Sequence, residues 1–236
     1  KAEIAPRGFT PPLDAPFVVC WGWHEGRRLR DLGFNTLVME LGYLGDRYHW
    51  TSLGWNGLNG RATWNEPADN GERFRKNFGH LVKPWKSDRS GYALIMGQVR
   101  GDAALTEVII DRWYLEAAKA LGSRGLDVRF RPHPVSVKRG IVGSALINSR
   151  IDGSLGDAIA GASVCVTYNS NTGTDAALAG VPVIACDEGS MAWPVAAHGL
   201  FADLKTPPRD EWFRRMAWRQ WTIDEISSGL AWDHVK

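Results

Sequence analysis

The sequence predicts an α/β protein in which parallel strands alternate with helices. Three observations support this. Short apolar runs recur along the chain, amphipathic or small-residue segments separate them, and glycine, proline or asparagine stands at most junctions. Alternation of this kind with short connections is typical of a parallel sheet that helices cover on both faces.

The composition is that of an ordinary folded protein. The chain has 236 residues, 44% of them hydrophobic, and a net charge of +2. This length allows one or two domains, and the charge gives no general case for nucleic-acid binding. Cys20, Cys165 and Cys186 lie in apolar runs without CxxC spacing, which predicts free thiols and favours a reducing, cytoplasmic location. No apolar run reaches the roughly 18 residues of a membrane span.

The apolar and amphipathic patterns predict elements along the whole chain. A loop rich in glycine and tryptophan is expected at 42–71, and its aromatic content favours a functional loop over a disordered one. Asp102 is expected to cap a long helix, and Thr222 with Glu225 forms the T-x-x-E pattern of a capping box. Strands are predicted at 16–22, 35–42, 92–98, 127–132, 164–170 and 181–186, and helices at 24–33, 102–125, 154–162 and 172–180, with two more within 208–232.

These elements predict three regions. They are residues 1–90, residues 91–207, which form a Rossmann-like lobe, and residues 208–236, which form helices. Sites are expected where parallel strands end, so three loops of the second region are the candidates. They are 97–102, 131–134 and 168–175.

The loop at 168–175 has the composition of a phosphate site. Ser170, Asn171, Thr172 and Gly173 stand between a strand and a helix, where hydroxyls and helix N–H groups are suited to an anion. A plain helix cap without a ligand is the alternative interpretation.

The loop at 131–134 combines two donor side chains with two prolines. Arg131 offers a planar fork of donors and His133 offers another, and the prolines restrict the backbone that carries them. We interpret the pair as a phosphate clamp, with a structural histidine as the alternative. Gln98, in the first of the three loops, is a candidate contact to the base or ribose.

Two carboxylates in the first region are candidate catalytic groups. Glu40 ends an apolar strand, and Asp46 lies in the loop that follows; either would serve as a base or nucleophile. An ion pair of Glu40 with Arg47 or Arg61 is the alternative. The acceptor or stacking candidates, for which packing is the competing interpretation, are Trp50, Trp55, Asn56 and Asn59.

The sequence gives no support for a metal or an organic cofactor. The six histidines show no metal-binding spacing, and neither a phosphate-binding lysine motif nor GxGxxG is present. We therefore expect neither, and a kinase or a dinucleotide oxidoreductase is not favoured.

Several stretches, in order from about residue 18 to 229, resemble the capsule-polysaccharide transferases that add 3-deoxy-manno-octulosonic acid (Kdo) from its CMP-activated form. Two departures stand out: Leu41 replaces the second acidic residue of the family's glutamate motif, and Gly45 stands where an arginine often follows. The matching stretches are VVCWG (18–22), MELGYL (39–44), ALIMGQVRGDAAL (93–105), RFRPHP (129–134), NSNTGTDAALAGVPVIA (169–185) and WRQWTIDEISSG (218–229).

The resemblance implies a GT-B-like fold of two Rossmann-like lobes with parallel sheets, of which the first is short. It implies that residues 1–90 are the acceptor-side lobe, that residues 91–207 bind the nucleotide of the donor, and that the helices of 208–236 brace the two lobes. It also implies that His133 and Ser170 contact the donor phosphate and that Glu40 is the family's glutamate. The function expected is transfer of a sugar from a nucleotide-activated donor, CMP-Kdo-like or another, to a hydroxyl of a glycan or glycolipid.

Two alternatives stay open at this point. One is a phage-type DNA glycosyltransferase that acts on a hydroxylated base, with clustered basic residues on the DNA phosphates. The other is a non-catalytic nucleotide-binding lobe that needs a partner. The basic residues in question are Arg27, Arg28, Arg30, Arg73, Arg75 and Lys76.

Overall fold

The computed structural model describes residue 6, residues 8–140 and residues 144–236. These residues form two sheets flanked by helices. The strands are β1 (Val18–Trp21), β2 (Thr36–Leu41), β3 (Thr51–Trp55), β4 (Tyr92–Met96), β5 (Val128–Arg131), β6 (Ala162–Thr167), β7 (Val183–Ala185), β8 (Ala197–His198) and β9 (Gln220–Trp221). The helices are α1 (Trp23–Asp31), α2 (Glu72–Phe78), α3 (Ile110–Ser123), α4 (Pro134–Lys138), α5 (Leu155–Ala160), α6 (Thr172–Leu178), α7 (Asp210–Ala217), α8 (Ile223–Ser227) and α9 (Leu230–Val235).

The larger sheet is the centre of what we call the second lobe. Its five strands lie in the order β5-β4-β6-β7-β8, and every neighbouring pair is parallel. Both faces of β4 are covered: Ala93 and Ile95 pack in one hydrophobic cluster with α3, and Leu94 and Met96 pack in another with α5 and α6. Burial on both faces explains why these strands are continuous apolar runs in the sequence.

The strand order places a switch point between β4 and β6. The chain leaves β4 for β5 on one side of it and later returns to β6 on the other side. In open parallel sheets the crevice for ligands lies outside the carboxyl ends of the two strands where the order reverses. The loops after β4 and β6 are therefore the expected ligand-binding edge of the second lobe.

The smaller sheet is the centre of the first lobe, and it is mixed. β1 and β2 are parallel and joined by α1, whereas β3 is antiparallel to both β2 and β9. The expectation of a parallel sheet in this lobe is thus wrong. Only residues 42–50 separate β2 from β3, and so short a connection cannot make the crossover that parallel strands need. The predicted long loop at 42–71 therefore contains a strand.

Helix α3 begins later than predicted. The expected cap, Asp102, instead accepts a hydrogen bond from the N–H of Ala104 at 2.9 Å within a turn. Glu107 has a φ of +58°, a left-handed conformation that an α-helix cannot include. The chain consequently reaches helical geometry only at Ile110.

The tail contains three helices and a strand, where two helices were predicted. The capping box is confirmed: Thr222 Oγ1 accepts from the N–H of Glu225 at 3.2 Å, and Glu225 Oε2 accepts from the N–H of Thr222 at 2.9 Å. Strand β9 pairs with β3, so the end of the chain joins the first lobe's sheet. The division into three regions stays a prediction.

Candidate active site between the two sheets

A buried pair of amide side chains joins the two switch-point loops. Gln98 Nε2 donates to Asn169 Oδ1 at 2.8 Å, and the N–H of Asn169 donates to Gln98 Oε1 at 3.2 Å. Gln98 is only 7% exposed and Asn169 only 1%. The structure thus gives Gln98 a role in ordering both loops, and its contact with a base or ribose stays a prediction.

The amide pair continues into a contact between the lobes. Asn169 Nδ2 donates to Asp187 Oδ1 at 2.8 Å, and Arg61 of the first lobe donates to the same carboxylate at 2.8 Å. Burial alone would raise the pKa of Asp187, but the hydrogen bonds from Arg61 and Asn169 lower it overall. This carboxylate is therefore charged at neutral pH, and it ties the first lobe to the loop after β7.

Gly97 allows the loop after β4 to touch the loop after β5. A Cβ at Gly97 would lie 2.8 Å from the backbone nitrogen of His133 and 2.9 Å from the carbonyl oxygen of Arg131. The N–H of Gly97 donates to that carbonyl at 2.8 Å. The close approach that this glycine permits is thus to the backbone of 131–133, and it brings His133 to the switch point.

A hydrogen bond to one ring nitrogen of His133 determines which nitrogen carries the proton. Its Nδ1 accepts a hydrogen bond from the N–H of Val135 at 3.1 Å, which caps α4. Since an accepting Nδ1 carries no proton, the neutral imidazole holds its proton on Nε2. Burial lowers the pKa of His133, and the positive charges of Arg47 and Arg131 lower it further, while the charge of Asp102 raises it. His133 is thus a neutral Nε2–H donor at neutral pH.

Arg131 is committed in part to another loop. One terminal nitrogen donates to the carbonyl of Gly153 at 3.0 Å, in the turn before α5. Its Nε is buried and has no acceptor among the described residues. The phosphate-clamp role of Arg131 stays a prediction, and the nitrogen without an acceptor is the observation that keeps it open.

The start of α6 is less open to an anion than predicted. The N–H of Thr172 donates to Ser170 Oγ at 3.3 Å, and that of Gly173 donates to the carbonyl of Ser170 at 3.1 Å. The N–H of Thr174 donates to the carbonyl of Asn171 at 2.8 Å. The first N–H groups of this helix therefore already have acceptors, so the hydroxyls are the groups left for a ligand.

Asn171 crosses from α6 to the first lobe. Its Nδ2 donates to the carbonyl of Tyr43 at 3.1 Å, and its buried Oδ1 has no donor among the described residues. Tyr43 follows β2 closely, so this bond fixes the end of β2 against the start of α6.

Glu40 lies at the end of β2 and faces this junction. Its Oε1 accepts from the N–H of Trp23 at 3.2 Å, at the start of α1. Neither arginine that was considered as a partner pairs with it, because Arg61 binds Asp187 and Arg47 binds a carbonyl. Burial raises the pKa of Glu40 from its ordinary value, against the hydrogen bond from the N–H of Trp23.

Asp102 joins the site, and the sequence analysis missed it. Its negative charge raises the pKa of both Glu40 and His133. One carboxylate oxygen binds the N–H of Ala104, and the other makes no hydrogen bond to a residue that the structure describes. The available signal was the aspartate of the GQVRGD stretch, which we had assigned to a helix cap.

Asp46 lies in a turn of the same lobe. Asp46 is exposed, and its Oδ1 accepts a hydrogen bond from the N–H of Tyr48 at 3.0 Å. Its backbone carbonyl accepts one from the N–H of His49 at 3.0 Å. These contacts explain why an aspartate stands here. A catalytic role for it stays a prediction.

The acceptor candidates are placed apart from one another. Trp50 is a core residue, 8% exposed, with its ring 4.8 Å from that of Phe78. Trp55 donates from Nε1 to the carbonyl of Val235 at 2.6 Å. Asn56 accepts from the N–H of Thr36, at the end of β2 opposite to Glu40. The structure thus does not bring these residues to Glu40.

Asn59 and Trp64 form a local contact of their own. The carbonyl of Asn59 accepts from Trp64 Nε1 at 3.3 Å, and Asn59 has a φ of +53°, which asparagine tolerates. Both residues follow β3 in the chain. The contact of Asn59 with an acceptor stays a prediction.

Several basic residues considered for DNA have partners within the protein. Arg28 and Arg30 pair with acidic neighbours on α1. Arg73 donates to Glu225 and to the carbonyls of Ala217 and Gln220. Arg73 thus holds α2 to the end of the chain, whereas Arg28 and Arg30 make local ion pairs.

The described part of the chain offers neither a metal-ligand cluster nor a membrane-spanning helix. Within residues 8–140 and 144–236, no three His, Cys, Asp or Glu side chains are grouped as metal ligands. None of the helices in these ranges is both long and apolar enough to cross a membrane.

The parallel sheet and the mixed sheet define an α/β protein of the two-lobed, GT-B-like class, as expected. Among solved structures the chain is similar to Thermosulfurimonas dismutans KpsC described as a beta Kdo 2,4 transferase, with a TM-score of 0.61, 15% identity, and coverage of 96% of this chain and 89% of that one. It is also similar to KpsC of that organism described as a beta Kdo 2,7 transferase, with a TM-score of 0.58, 16% identity, and coverage of 86% and 76%.

The resemblance to Kdo transferases is therefore confirmed at the level of the fold. No protein-family model and no curated protein matches the chain.

Proposed function

We propose that this chain is a glycosyltransferase that moves a sugar from a nucleotide-activated donor, CMP-Kdo-like or another, to a hydroxyl of a glycan or glycolipid. One observation carries the proposal: Asn171 at the start of α6 donates to the carbonyl of Tyr43, which holds the end of β2, with Glu40, against the switch-point loops of the second lobe. The charge of Asp102 on that lobe raises the pKa of both Glu40 and His133. The similarity in fold to proteins described as Kdo transferases supports the same class of reaction.

The donor phosphate binds at the switch point of the second lobe. His133 supplies its Nε2–H. Ser170 Oγ already accepts hydrogen bonds from Thr172 N and Oγ1, at 3.3 and 3.0 Å, so its own proton is free to donate. As the bond to the sugar breaks, negative charge grows on the phosphate, and these fixed donors stabilise it without reorganising.

Two carboxylates act on the sugar side. Glu40, whose pKa is raised, holds a proton to higher pH than an exposed glutamate and is suited to exchanging it with the acceptor hydroxyl. Asp102 is the second carboxylate, suited to stabilising positive charge on the reacting carbon or to bonding with it. A binding module without catalysis would have no need of this pair.

The direct test is release of nucleotide from a panel of nucleotide sugars, with and without acceptor glycans. We expect Glu40→Gln to lower turnover by about 100-fold or more, as for loss of a general acid–base group, with donor affinity changed less than about twofold. Glu116→Gln, an exposed glutamate of α3, is the matched control. Because the proposal involves no metal, EDTA should leave turnover unchanged.

Wild-type protein that binds nucleotides but never turns over a donor would favour the non-catalytic alternative. Turnover by Glu40→Gln at the wild-type rate would remove Glu40 from the mechanism.

A further inference from the structure

One buried asparagine joins three loops of the second lobe. Asn169 Nδ2 donates to the carbonyl of Ala104 at 2.8 Å and to Asp187 Oδ1 at 2.8 Å. Both of these neighbours are acceptors, so the amide nitrogen must face them, and Oδ1 is left to face Gln98 Nε2. The side chain of Asn169 therefore has one orientation, in which both of its N–H bonds are used.

The first of these N–H bonds reaches the turn that carries Asp102. The N–H of Ala104 donates to Asp102 Oδ1 at 2.9 Å, while the carbonyl of Ala104 accepts from Asn169. The N–H of Asp102 donates to the carbonyl of Val99 at 3.1 Å, and the N–H of Leu105 donates to the carbonyl of Asp102 at 2.9 Å. The turn is thus closed within itself, and Asn169 ties it to the loop after β6.

The second N–H bond reaches the first lobe through an ion pair. Arg61 ends a short 3-10 helix at Asn59–Arg61, and its two terminal nitrogens donate to the two oxygens of Asp187 at 2.8 and 2.5 Å. The side chain of Asp187 is only 9% exposed. A two-pronged pair of this kind fixes the orientation of the carboxylate as well as its distance.

The backbones of the two lobes touch beside this ion pair. The N–H of Gly60 donates to the carbonyl of Gly189 at 3.0 Å, and a Cβ at Gly60 would lie 2.4 Å from the carbonyl oxygen of Glu188. A Cβ at Gly189 would lie 2.0 Å from a terminal nitrogen of Arg61, so a larger residue there would displace the guanidinium. Both glycines thus leave the room in which Arg61 reaches Asp187.

We propose that Arg61 of the first lobe is a positioning residue for Asp102 of the second. Arg61 orients Asp187, and Asp187 orients the amide of Asn169, which holds the turn. Asp102 is then fixed in place while the lobes are in contact. The inference rests on the proposed function, in which Asp102 is the second carboxylate of the site.

Burial explains why the chain of contacts can transmit position. Asn169 is 1% exposed, so its amide cannot lose a partner without leaving a buried polar atom unpaired. Without Arg61, the carboxylate of Asp187 is free to turn, and the amide loses the charge that orients it. The turn then loosens, and a displacement of about 1 Å at a reacting group can lower a rate by about 100-fold.

The first test is hydrogen exchange, which needs no substrate. Arg61→Gln removes the two-pronged pair, and the protein should still fold because the side chain of Arg61 is 34% exposed. We expect the amides of 97–105 and 168–170 to exchange at least about threefold faster in this variant. Arg112→Gln, which breaks an exposed ion pair on α3, is the matched control and should leave these amides unchanged.

The second test compares turnover of a nucleotide sugar with nucleotide affinity. Arg61→Gln should lower kcat by about 10–100-fold and change nucleotide affinity less than about twofold, because Arg61 acts on the turn. Arg61→Lys keeps the charge without the fork, so it should recover part of the rate. Adding Asp187→Asn to Arg61→Gln should cost little more, because both substitutions break the same link.

Unchanged hydrogen exchange in Arg61→Gln would overturn the inference, and so would a wild-type kcat. A loss confined to nucleotide affinity would also overturn it, because that result would place Arg61 on the ligand. If wild-type protein turned over no donor, the proposed function would fail instead. Hydrogen exchange would then decide by itself whether Arg61 positions the turn.

Discussion

At the scale of single residues, the same side chain often serves the fold and the site. His133 caps α4 through Nδ1, and that bond leaves the proton on Nε2, where a ligand can accept it. Only glycine at position 97 lets the backbone touch the backbone of 131–133, and this contact positions His133. The chemistry of the site thus depends on local backbone geometry as much as on residue type.

Asp175 gives a prediction about pH and stability. Burial raises its pKa from 3.8 to about 6, against the positive charge of Arg47. Because the folded state holds the proton more tightly than the unfolded state, stability falls as pH rises from about 4 to about 6. Above that range the full cost is present, at most about 3 kcal/mol for a difference of this size.

Asp175→Asn removes this cost. We expect the variant to be more stable than wild type in urea at pH 8 by about 1–3 kcal/mol, with the difference largely gone near pH 4. The difference between the two proteins, measured across this pH range, isolates Asp175 from other titrating groups. A difference that does not vary with pH would show that the carboxyl is not destabilised by burial.

At the scale of elements, a strand of only two residues, β9, has a large structural role. Gln220 in β9 is fully buried, and its Oε1 accepts from the N–H groups of Tyr43 and Leu44 at 2.7 and 2.9 Å. Its Nε2 donates to the carbonyl of Leu44 at 3.2 Å. The end of the chain thereby fixes the start of the loop that carries Arg47.

Gln220→Ala should therefore destabilise the protein strongly. It leaves two buried N–H groups without an acceptor, at about 1–3 kcal/mol each, so we expect a loss of about 2–5 kcal/mol in urea unfolding. Thr222→Ala, which removes only the cap of α8, should cost about 1 kcal/mol. Equal effects of the two substitutions would contradict the role assigned to Gln220.

The elements that could be predicted are those whose signal is local. β4, β6 and β7 are buried on both faces, which requires continuous apolar runs, and such runs are visible in the sequence. β9 exists only because it pairs with β3, more than 160 residues away in the chain. No local pattern of two residues carries that information. The late start of α3 was missed because Asp102 favours a turn as well as a cap.

At the scale of the whole molecule, the site exists because the lobes share a core. One hydrophobic cluster contains Tyr43, Leu44 and Phe74 of the first lobe together with Leu94 and Met96 of β4. The ion pair of Arg61 with Asp187 adds a polar contact between the same parts. This packing sets Glu40 against the switch-point loops.

The site was predictable as residue types and not as contacts. Glu40 and His133 stand at strand ends, so their position in the sequence predicts an exposed functional group. Trp50 and Gln98 were also binding candidates by residue type. Packing against Phe78 buries Trp50, and the hydrogen bonds with Asn169 occupy the side chain of Gln98. Arg61 was considered only as a partner of Glu40, because the sequence does not show that it pairs with Asp187, 126 residues further along the chain.

The most direct test of the account is nucleotide binding by calorimetry with CMP, CDP, UMP, UDP, GDP and ADP. His133→Asn is the informative variant, because asparagine is a good helix cap and yet lacks the Nε2–H donor. We predict that the wild type binds at least one of these nucleotides and that the variant, equally folded, binds it about 10–100-fold more weakly. No binding by the wild type, or a loss below about twofold in the variant, would contradict a nucleotide phosphate at His133.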